Sequence, residues 1–253
     1  MKAIILCAGY GKRLKSYTKR YQKSMLPLHG KPLLDYIING LITSGFKEFI
    51  LVVGYKKEQI FDYFQEGKRW DISIEYIEQK ELNGTGGALL LCEQIIDESH
   101  FFLTWGDILV PYKVYKDVYN IFLNENQNFI LVVNHSHDPY LGAAVICDNL
   151  YCKTIIEKPP KGSGYNYNNS GIFIFSKEIF SVLKILKPSK RGEIEITDAI
   201  RMGIKERNWK VRVFKMEKGQ FRGDFGNIEM YRRLKKDTSW LKELKELNRS
   251  DSK

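Results

Sequence analysis

From Ala3 to Asn134 the sequence alternates short continuous apolar runs with segments of helical period, and this alternation does most to narrow the fold. "AIILC", "EFILVVG", "ISIEYI", "HFFLTW" and "FILVVN" read as strands. Between them, Pro32 opens a predicted helix through "LLDYIINGLITS", stopped by Gly45, and "KKEQIFDYFQEG" ends a second at Gly67. "GGALLLCEQII" and a stretch near Val114–Leu123 read as further helices. Strands separated by helices need crossover connections, which predicts an α/β layer fold with a largely parallel sheet.

The second half changes character. "GAAVICD", "CKTIIEK" and "GIFIFS" are strand-like runs with short connections, which predicts a small antiparallel insertion on the main sheet. Helices are expected again at Lys177–Leu186, Thr197–Glu206 and Ile228–Lys236, with "KVRVFKM" as another strand. "KPPKGSGYNYNNSG" reads as a loop of the kind that closes over ligands. The length of 253 residues suits one domain with two lobes, 1–134 and 135–236, and a helical tail over 237–253. No apolar run approaches the ~20 residues of a bilayer span, and "MKAIILCAGYG" is too short in its apolar part for a signal peptide. Cys7, Cys92, Cys147 and Cys152 lack metal-site spacing and read as reduced core thiols of a cytoplasmic protein.

The formal charge of +10 is unevenly spread. The mixed-sign tail "RRLKKDTSWLKELKELNR" reads as an exposed helix. Upstream of Asp35 there is no acidic residue at all, yet Lys12, Arg13, Lys15, Lys19, Arg20, Lys23 and Lys31 follow the turn Gly9-Tyr10-Gly11. Uncompensated cations beside a glycine turn point to an anionic ligand, either nucleic acid or a small polyphosphate. The dinucleotide fingerprint fails because Leu14 takes the third glycine position. A P-loop fails because Arg13 follows Gly11-Lys12 where serine or threonine is needed, and Leu6 holds the first glycine position.

"LCAGYGKRL" followed by "KSMLPLHGKPLL" resembles the signature of sugar-1-phosphate nucleotidyltransferases, L-x-A-G-x-G-x-R-L then K-x-x-L-P-x-x-x-K-P. The match falls on Leu6, Ala8, Gly9, Gly11, Arg13, Leu14, Lys23, Leu26, Pro27, Lys31 and Pro32, with Ser16 where the family usually has proline. "EQKELNGTGGAL" resembles the family's nucleobase segment, while "YLGAAVICD", "IEKPP" and "NNSGIFIF" resemble its sugar-binding strands. "RGEIEITDAI" is similar to another block, and "GDFGNIEMYRRL" to D-x-G-T with Asn227 for threonine. The series runs in family order from about residue 2 to 234, and its nearest likeness is to thymidylyl- and uridylyltransferases of glucose 1-phosphate.

The resemblance implies a Rossmann-like three-layer α/β/α fold with a mostly parallel sheet. It also implies a reaction in which a sugar 1-phosphate attacks the α-phosphorus of a nucleoside triphosphate, releasing pyrophosphate. The nucleophile is already anionic, so no activated Ser, Cys or His is required, and His29, His100, His135 and His137 form no evident triad. Catalysis then consists of aligning two anions and neutralising charge. Leu6, Ala8, Gly9, Gly11 and Lys12 would line the triphosphate, with Arg13 and Lys23 as the working cations. Gln79, Gly84 and Thr85 would meet the base, Thr85 also capping the following helix. Gly142, Glu157 and Asn169 would hold the sugar and Lys158 its phosphate. Asp107 and Asp224 are the implied ligands of Mg²⁺, an oxygen-seeking ion usually bound by one or two carboxylates plus phosphates. From the residues alone either aspartate also reads as a turn or cap, and Lys15, Lys19 and Arg20 read as solvated.

An amide such as Gln79 pairs with uracil or thymine, which favours UTP or dTTP, but it also pairs with guanine. A GTP-using mannose- or heptose-phosphate guanylyltransferase therefore stays open. A nucleotide-sugar glycosyltransferase is disfavoured, since no two aspartates lie two residues apart. The reading from another class is a non-catalytic polyanion- or nucleic-acid-binding protein, which would bind salt-sensitively to any polyanion. The enzyme reading expects small-molecule partners, neither nucleic acid nor membrane, and leaves a homo-oligomer open.

Overall fold

The computed structural model describes residues 1–14 and 16–246; Lys15 and residues 247–253 of the predicted tail lie outside them. The chain opens with β1 (Ala3–Leu6), a 3-10 turn at Lys12–Leu14, α1 (Ser16–Arg20) and a small hairpin of β2 (Pro27–Leu28) and β3 (Lys31–Pro32). Then come α2 (Leu33–Thr43), β4 (Glu48–Val53), α3 (Glu58–Phe64), β5 (Ser73–Glu78) and α4 (Thr85–Leu90). They are followed by β6 (His100–Trp105), β7 (Ile108–Leu109), α5 (Tyr112–Glu125) and β8 (Phe129–His135). Strands β9 (Ala143–Asp148), β10 (Tyr151–Glu157) and β11 (Tyr167–Ser176) precede α6 (Glu178–Leu183) and α7 (Ile196–Arg207). The last elements are β12 (Val211–Lys215), β13 (Gly223–Asp224), α8 (Ile228–Lys236) and α9 (Ser239–Lys245).

Two compact units divide the chain without following its order. The first gathers the described residues of Lys2–Lys80, Thr104–Tyr119 and those from Gln220 to Glu246. The second holds Met1, Glu81–Leu103 and Asn120–Gly219.

In the first unit β4 lies between β1 and β5 and runs parallel to both, with Ile4 opposite Ile50 and Phe49 opposite Ile74. Parallel order brings the carboxyl ends at Leu6, Val53 and Glu78 to one edge, where open α/β sheets bind ligands. Strands β1 and β4 are apolar on both faces, as crossover helices require, while β5 exposes Ser73, Glu75 and Glu78. Helix α2 buries Leu33, Leu34, Ile37, Ile38 and Leu41. Its first residue is Leu33, not Pro32 as the sequence predicts, because Pro32 is extended and pairs with Pro27 in the β2–β3 hairpin.

The predicted exposed tail helix is corrected as well. It breaks at Asp237–Thr238 into α8 and α9, whose Tyr231, Leu234, Trp240 and Leu244 are buried. The Trp240 indole N–H donates to the Leu234 and Asp237 carbonyls, satisfying the end of α8 with a side chain.

In the second unit β11, β8, β12, β10 and β9 neighbour one another in that order. There β8–β12 is parallel, whereas β11–β8, β10–β12 and β10–β9 are antiparallel. The sheet is therefore mixed, and antiparallel pairing extends well beyond the small insertion expected. Asn149 takes a left-handed turn (φ 50°) that reverses the chain between β9 and β10 within two residues, and β11–β8 and β10–β12 carry the antiparallel pairing beyond that hairpin. The helix predicted over "GGALLLCEQII" also divides, into α4 and a separate 3-10 turn at Glu93–Ile95. All four cysteines are free, three of them buried. No helix among the described residues is long and apolar enough to cross a membrane.

Candidate functional site

In the first unit the turn after β1 carries the predicted phosphate residues. Gly9 and Tyr10 are exposed and Gly11 half-buried, while Ala8 and Leu14 are buried on either side as anchors. Gly11 has φ +62°, and a Cβ there would lie 2.9 Å from Thr18 Cγ2 and 3.3 Å from Lys23 Cβ. The glycine thus serves both the left-handed turn and the close passage of the Lys23 stem. Lys12 and Arg13 are exposed, with the Lys12 ammonium 5.9 Å from the Tyr10 ring centre.

Lys23 opens a 3-10 turn that a buried amide holds in place. Gln22 donates through Nε2 to the Cys7 carbonyl, and its Oε1 accepts from the Ser24 N–H. Its own N–H donates to Gln59 Oε1 at 2.8 Å. Gln22 therefore ties the Lys23 turn to the end of β1 through its side chain and to α3 through its backbone, a role that no sequence pattern around it announces.

The Lys23 ammonium pairs with Asp107 Oδ2. Asp107 follows Gly106, whose N–H donates to the Leu6 carbonyl at 2.9 Å, so it sits beside the end of β1. Asp224 arrives from the other end of the sequence. Strands β13 and β7 pair antiparallel with Asp224 opposite Ile108, and the Phe225 N–H donates to the Asp107 carbonyl at 3.0 Å. Asp224 Oδ1 accepts from the Gly226 N–H at 2.7 Å. A Cβ on Gly226 would lie 2.6 Å from Arg13 Nη2 and 2.8 Å from Asp224 Oδ1, so the missing side chain gives Arg13 room beside the carboxylate. Arg222, unassigned from sequence, comes within 3.7 Å of Asp224 Oδ2. The structure thus gathers Arg13, Lys23, Asp107 and Asp224 with one further cation. Gln79 is buried just past β5, at the same carboxyl edge, its backbone N–H on the Val53 carbonyl.

The second unit assembles a different cluster. Glu157 ends β10, with Ala143 opposite it on β9. The Lys158 N–H donates to the Gly142 carbonyl at 2.7 Å, which fixes Lys158 in a left-handed conformation (φ 44°) costly for a long side chain. Asn168 Oδ1 packs against Gly142 and accepts from the Ala143 N–H at 3.1 Å. Asn169 is buried; its Oδ1 accepts from the Gly171 N–H, and its Nδ2 is a buried donor with no partner. Left unmet, such a donor costs about 1–3 kcal/mol.

Glu157 Oε2 accepts from Thr197 Oγ1 at 3.2 Å, and its Oε1 lies 3.6 Å from Arg191 Nη2. Arg191 also pairs with Glu195 and, at 3.2 Å, with Glu193. One guanidinium thus serves three carboxylates. Burial raises the pKa of Glu157 despite Arg191 and Thr197. Burial, reinforced by the neighbouring acids and opposed by Arg191, pushes Glu195 up to about 7. Arg191 and Thr197 lie in "RGEIEITDAI", yet the sequence alone assigns neither a contact.

One expectation for this unit needs correction. Thr85 does not cap α4, where Gly84 is the N-cap residue without a side-chain bond. Its hydroxyl instead donates to Glu195 Oε2 at 3.3 Å and accepts from the Ile196 N–H at 3.1 Å, which caps α7. Gly84 (φ +101°) turns its Cα face to the Ile194 backbone carbonyl, so close packing already requires glycine there.

Residues 2–239 match the family described as Nucleotidyl transferase, and the chain belongs to that family. It is 37% identical over 210 residues to the bifunctional protein GlmU of Methanococcus aeolicus, covering 83% of this chain and 48% of that protein. The chain thus spans about half the length of the GlmU proteins it resembles. It is 32% identical over 222 residues to the UTP–glucose-1-phosphate uridylyltransferase AglF of Haloferax volcanii, covering 81% of this chain and 84% of that one. It shares the fold of a UDP-glucose pyrophosphorylase solved with UDP-glucose, at a TM-score of 0.83 and 24% identity over 96% of this chain and 98% of the other.

Proposed function

We propose that the chain joins a nucleoside triphosphate to a sugar 1-phosphate, giving a nucleoside-diphosphate sugar and pyrophosphate. The observation that carries this reading is the Lys23–Asp107 ion pair beside Asp224 at the carboxyl edge of parallel strands. UTP or dTTP is the favoured triphosphate. Buried Gln79 suits a pyrimidine, and the name of the Haloferax relative supports UTP.

In the reaction a sugar-phosphate oxygen forms a bond to the α-phosphorus, while the bond from that phosphorus to the α,β-bridging oxygen breaks. The electron pair leaves with pyrophosphate, and no proton needs to move in the step. The backbone from Leu6 through Ala8 and Gly9 to Gly11 lines the triphosphate with Lys12. Arg13 takes it as a planar fork, and Lys23 meets the developing charge at the α-phosphate. Gly84 and Thr85 remain candidate base contacts, Thr85 now acting through α7. Glu157, Gly142 and Asn169 hold the sugar hydroxyls, and Lys158 its phosphate. Arg191 orients Glu157 and adds positive charge to that cluster.

Asp107 and Asp224 offer the two carboxylates that suit Mg²⁺ when substrate phosphates supply the remaining oxygens, and no group of three or more acids, cysteines or histidines is placed to hold a metal among the described residues. Bound there, Mg²⁺ would supply charge neutralisation for the triphosphate. The test is pyrophosphate release with Mg²⁺ from UTP, dTTP, GTP, CTP and ATP, each against a panel of hexose 1-phosphates. Release that needs UTP or dTTP together with one sugar phosphate is expected. Release from no pair, with folded protein, overturns the reading, and release with GTP alone moves the base assignment to guanine.

A further inference from the structure

We propose that Arg222 is a positioning residue of the phosphate site, a fixed internal cation that holds the Asp107–Asp224 pair and weakens its grip on a divalent ion until a polyphosphate arrives. This rests on the functional reading above. The Arg222 side chain is only 14% exposed, and its Nη1 lies 3.7 Å from Asp224 Oδ2, too far for a hydrogen bond. Its Nε is buried without a partner. An arginine kept for the fold saturates its forked donors on carbonyls and carboxylates. Among the described residues one donor is orphaned and the ion pair with Asp224 is long, so what the side chain brings is charge.

The register directs that charge at both acids. Gly223 faces Leu109 and Asp224 faces Ile108, while Phe225 bonds the Asp107 carbonyl, so Arg222 directly precedes the strand pair that brings Asp224 and Asp107 together. Burial works against the guanidinium charge, and the fields of Asp224 and then Asp107 sustain it. With Lys23 on Asp107 and Arg222 beside Asp224, each carboxylate already has a cation. A divalent ion must share them with fixed positive charge, and the anionic oxygens of a polyphosphate tip that balance toward the metal.

The test titrates Mn²⁺ into the full chain by calorimetry and electron paramagnetic resonance, alone and with inorganic pyrophosphate. Arg222→Met, which keeps the stem and removes the charge, should bind Mn²⁺ alone roughly tenfold more tightly than wild type. The advantage should shrink once pyrophosphate is present. Arg222→Lys should stay within about threefold of wild type, since the charge persists. Equal or weaker Mn²⁺ binding by an Arg222→Met protein with native circular dichroism overturns the proposal, as does Arg222→Lys behaving like Arg222→Met. Wild type that binds Mn²⁺ by neither route overturns it too. If pyrophosphate release fails for every substrate pair, the functional reading falls while the Mn²⁺ comparison still decides the role of Arg222.

Discussion

Thr197 Oγ1 donates to Glu157 Oε2 across 3.2 Å, joining the first turn of α7 to the end of β10. The bond orients the carboxylate proposed to hold the sugar without touching the substrate itself. Replacing Thr197 with Val keeps the shape and removes the donor. The KM for the sugar phosphate should rise about threefold to tenfold, the scale of one neutral-to-charged hydrogen bond, with kcat changed far less. Steady-state kinetics with the sugar phosphate varied will check this, and an equal loss in kcat would place Thr197 in transition-state chemistry instead.

Glu195 provides a pH signature in stability. Its carboxyl is pushed up to about 7, above the ordinary value of 4.5, so the folded chain holds a proton that the unfolded chain releases. Its contribution is therefore full below about 4.5 and is lost as pH rises toward 7, by at most about 3 kcal/mol. Glu195→Gln should flatten that part of the stability profile, which thermal unfolding between pH 5 and 8 measures. An unchanged slope would show that Glu195 titrates at its ordinary pH in the folded protein.

Lys23 is both a partner of Asp107 and the proposed contact of the α-phosphate. Lys23→Ala should lower turnover by about 10² to 10³, the scale of removing one preorganised charge at the reacting phosphorus. The fold should persist, because Gln22 holds the turn through groups that do not involve the Lys23 side chain. Pyrophosphate release and circular dichroism on the same preparation separate the two effects, and near-normal turnover would remove Lys23 from the mechanism.

How much of this is legible from sequence depends on whether a residue acts beside its own landmark. Parallel β1, β4 and β5 follow from apolar runs spaced by helical segments, and Lys23, Asp107 and Asp224 each stand near a glycine or proline that marks a turn. Partners supplied from far along the chain leave no such trace. Arg222 reads as one more basic residue until β13 pairs with β7, and Gln22 as a loop amide until Cys7 and Gln59 close around it. Thr85 misleads for a related reason. Its place before a helix suggests a local cap, whereas α7, more than a hundred residues later, offers the N–H it accepts. The mixed sheet eludes a pattern reading because buried strands have the same apolar signature in either direction.

The β2–β3 hairpin receives its last contacts from the far end of the described chain. His29 Nε2 lies 2.8 Å from the Leu234 carbonyl, and the Tyr231 hydroxyl donates to the Pro27 carbonyl at 3.1 Å. The Tyr17 and Tyr231 rings meet edge to face at 5.0 Å. These contacts span more than two hundred residues, so loop-closure entropy delays them. On the ribosome, the turn bearing Lys23 emerges about two hundred residues before the α8 that braces its hairpin. Asp224 arrives in the same late segment. The emerging chain therefore carries Arg13 and Lys23 about two hundred residues before Arg222 and Asp224 complete the cluster.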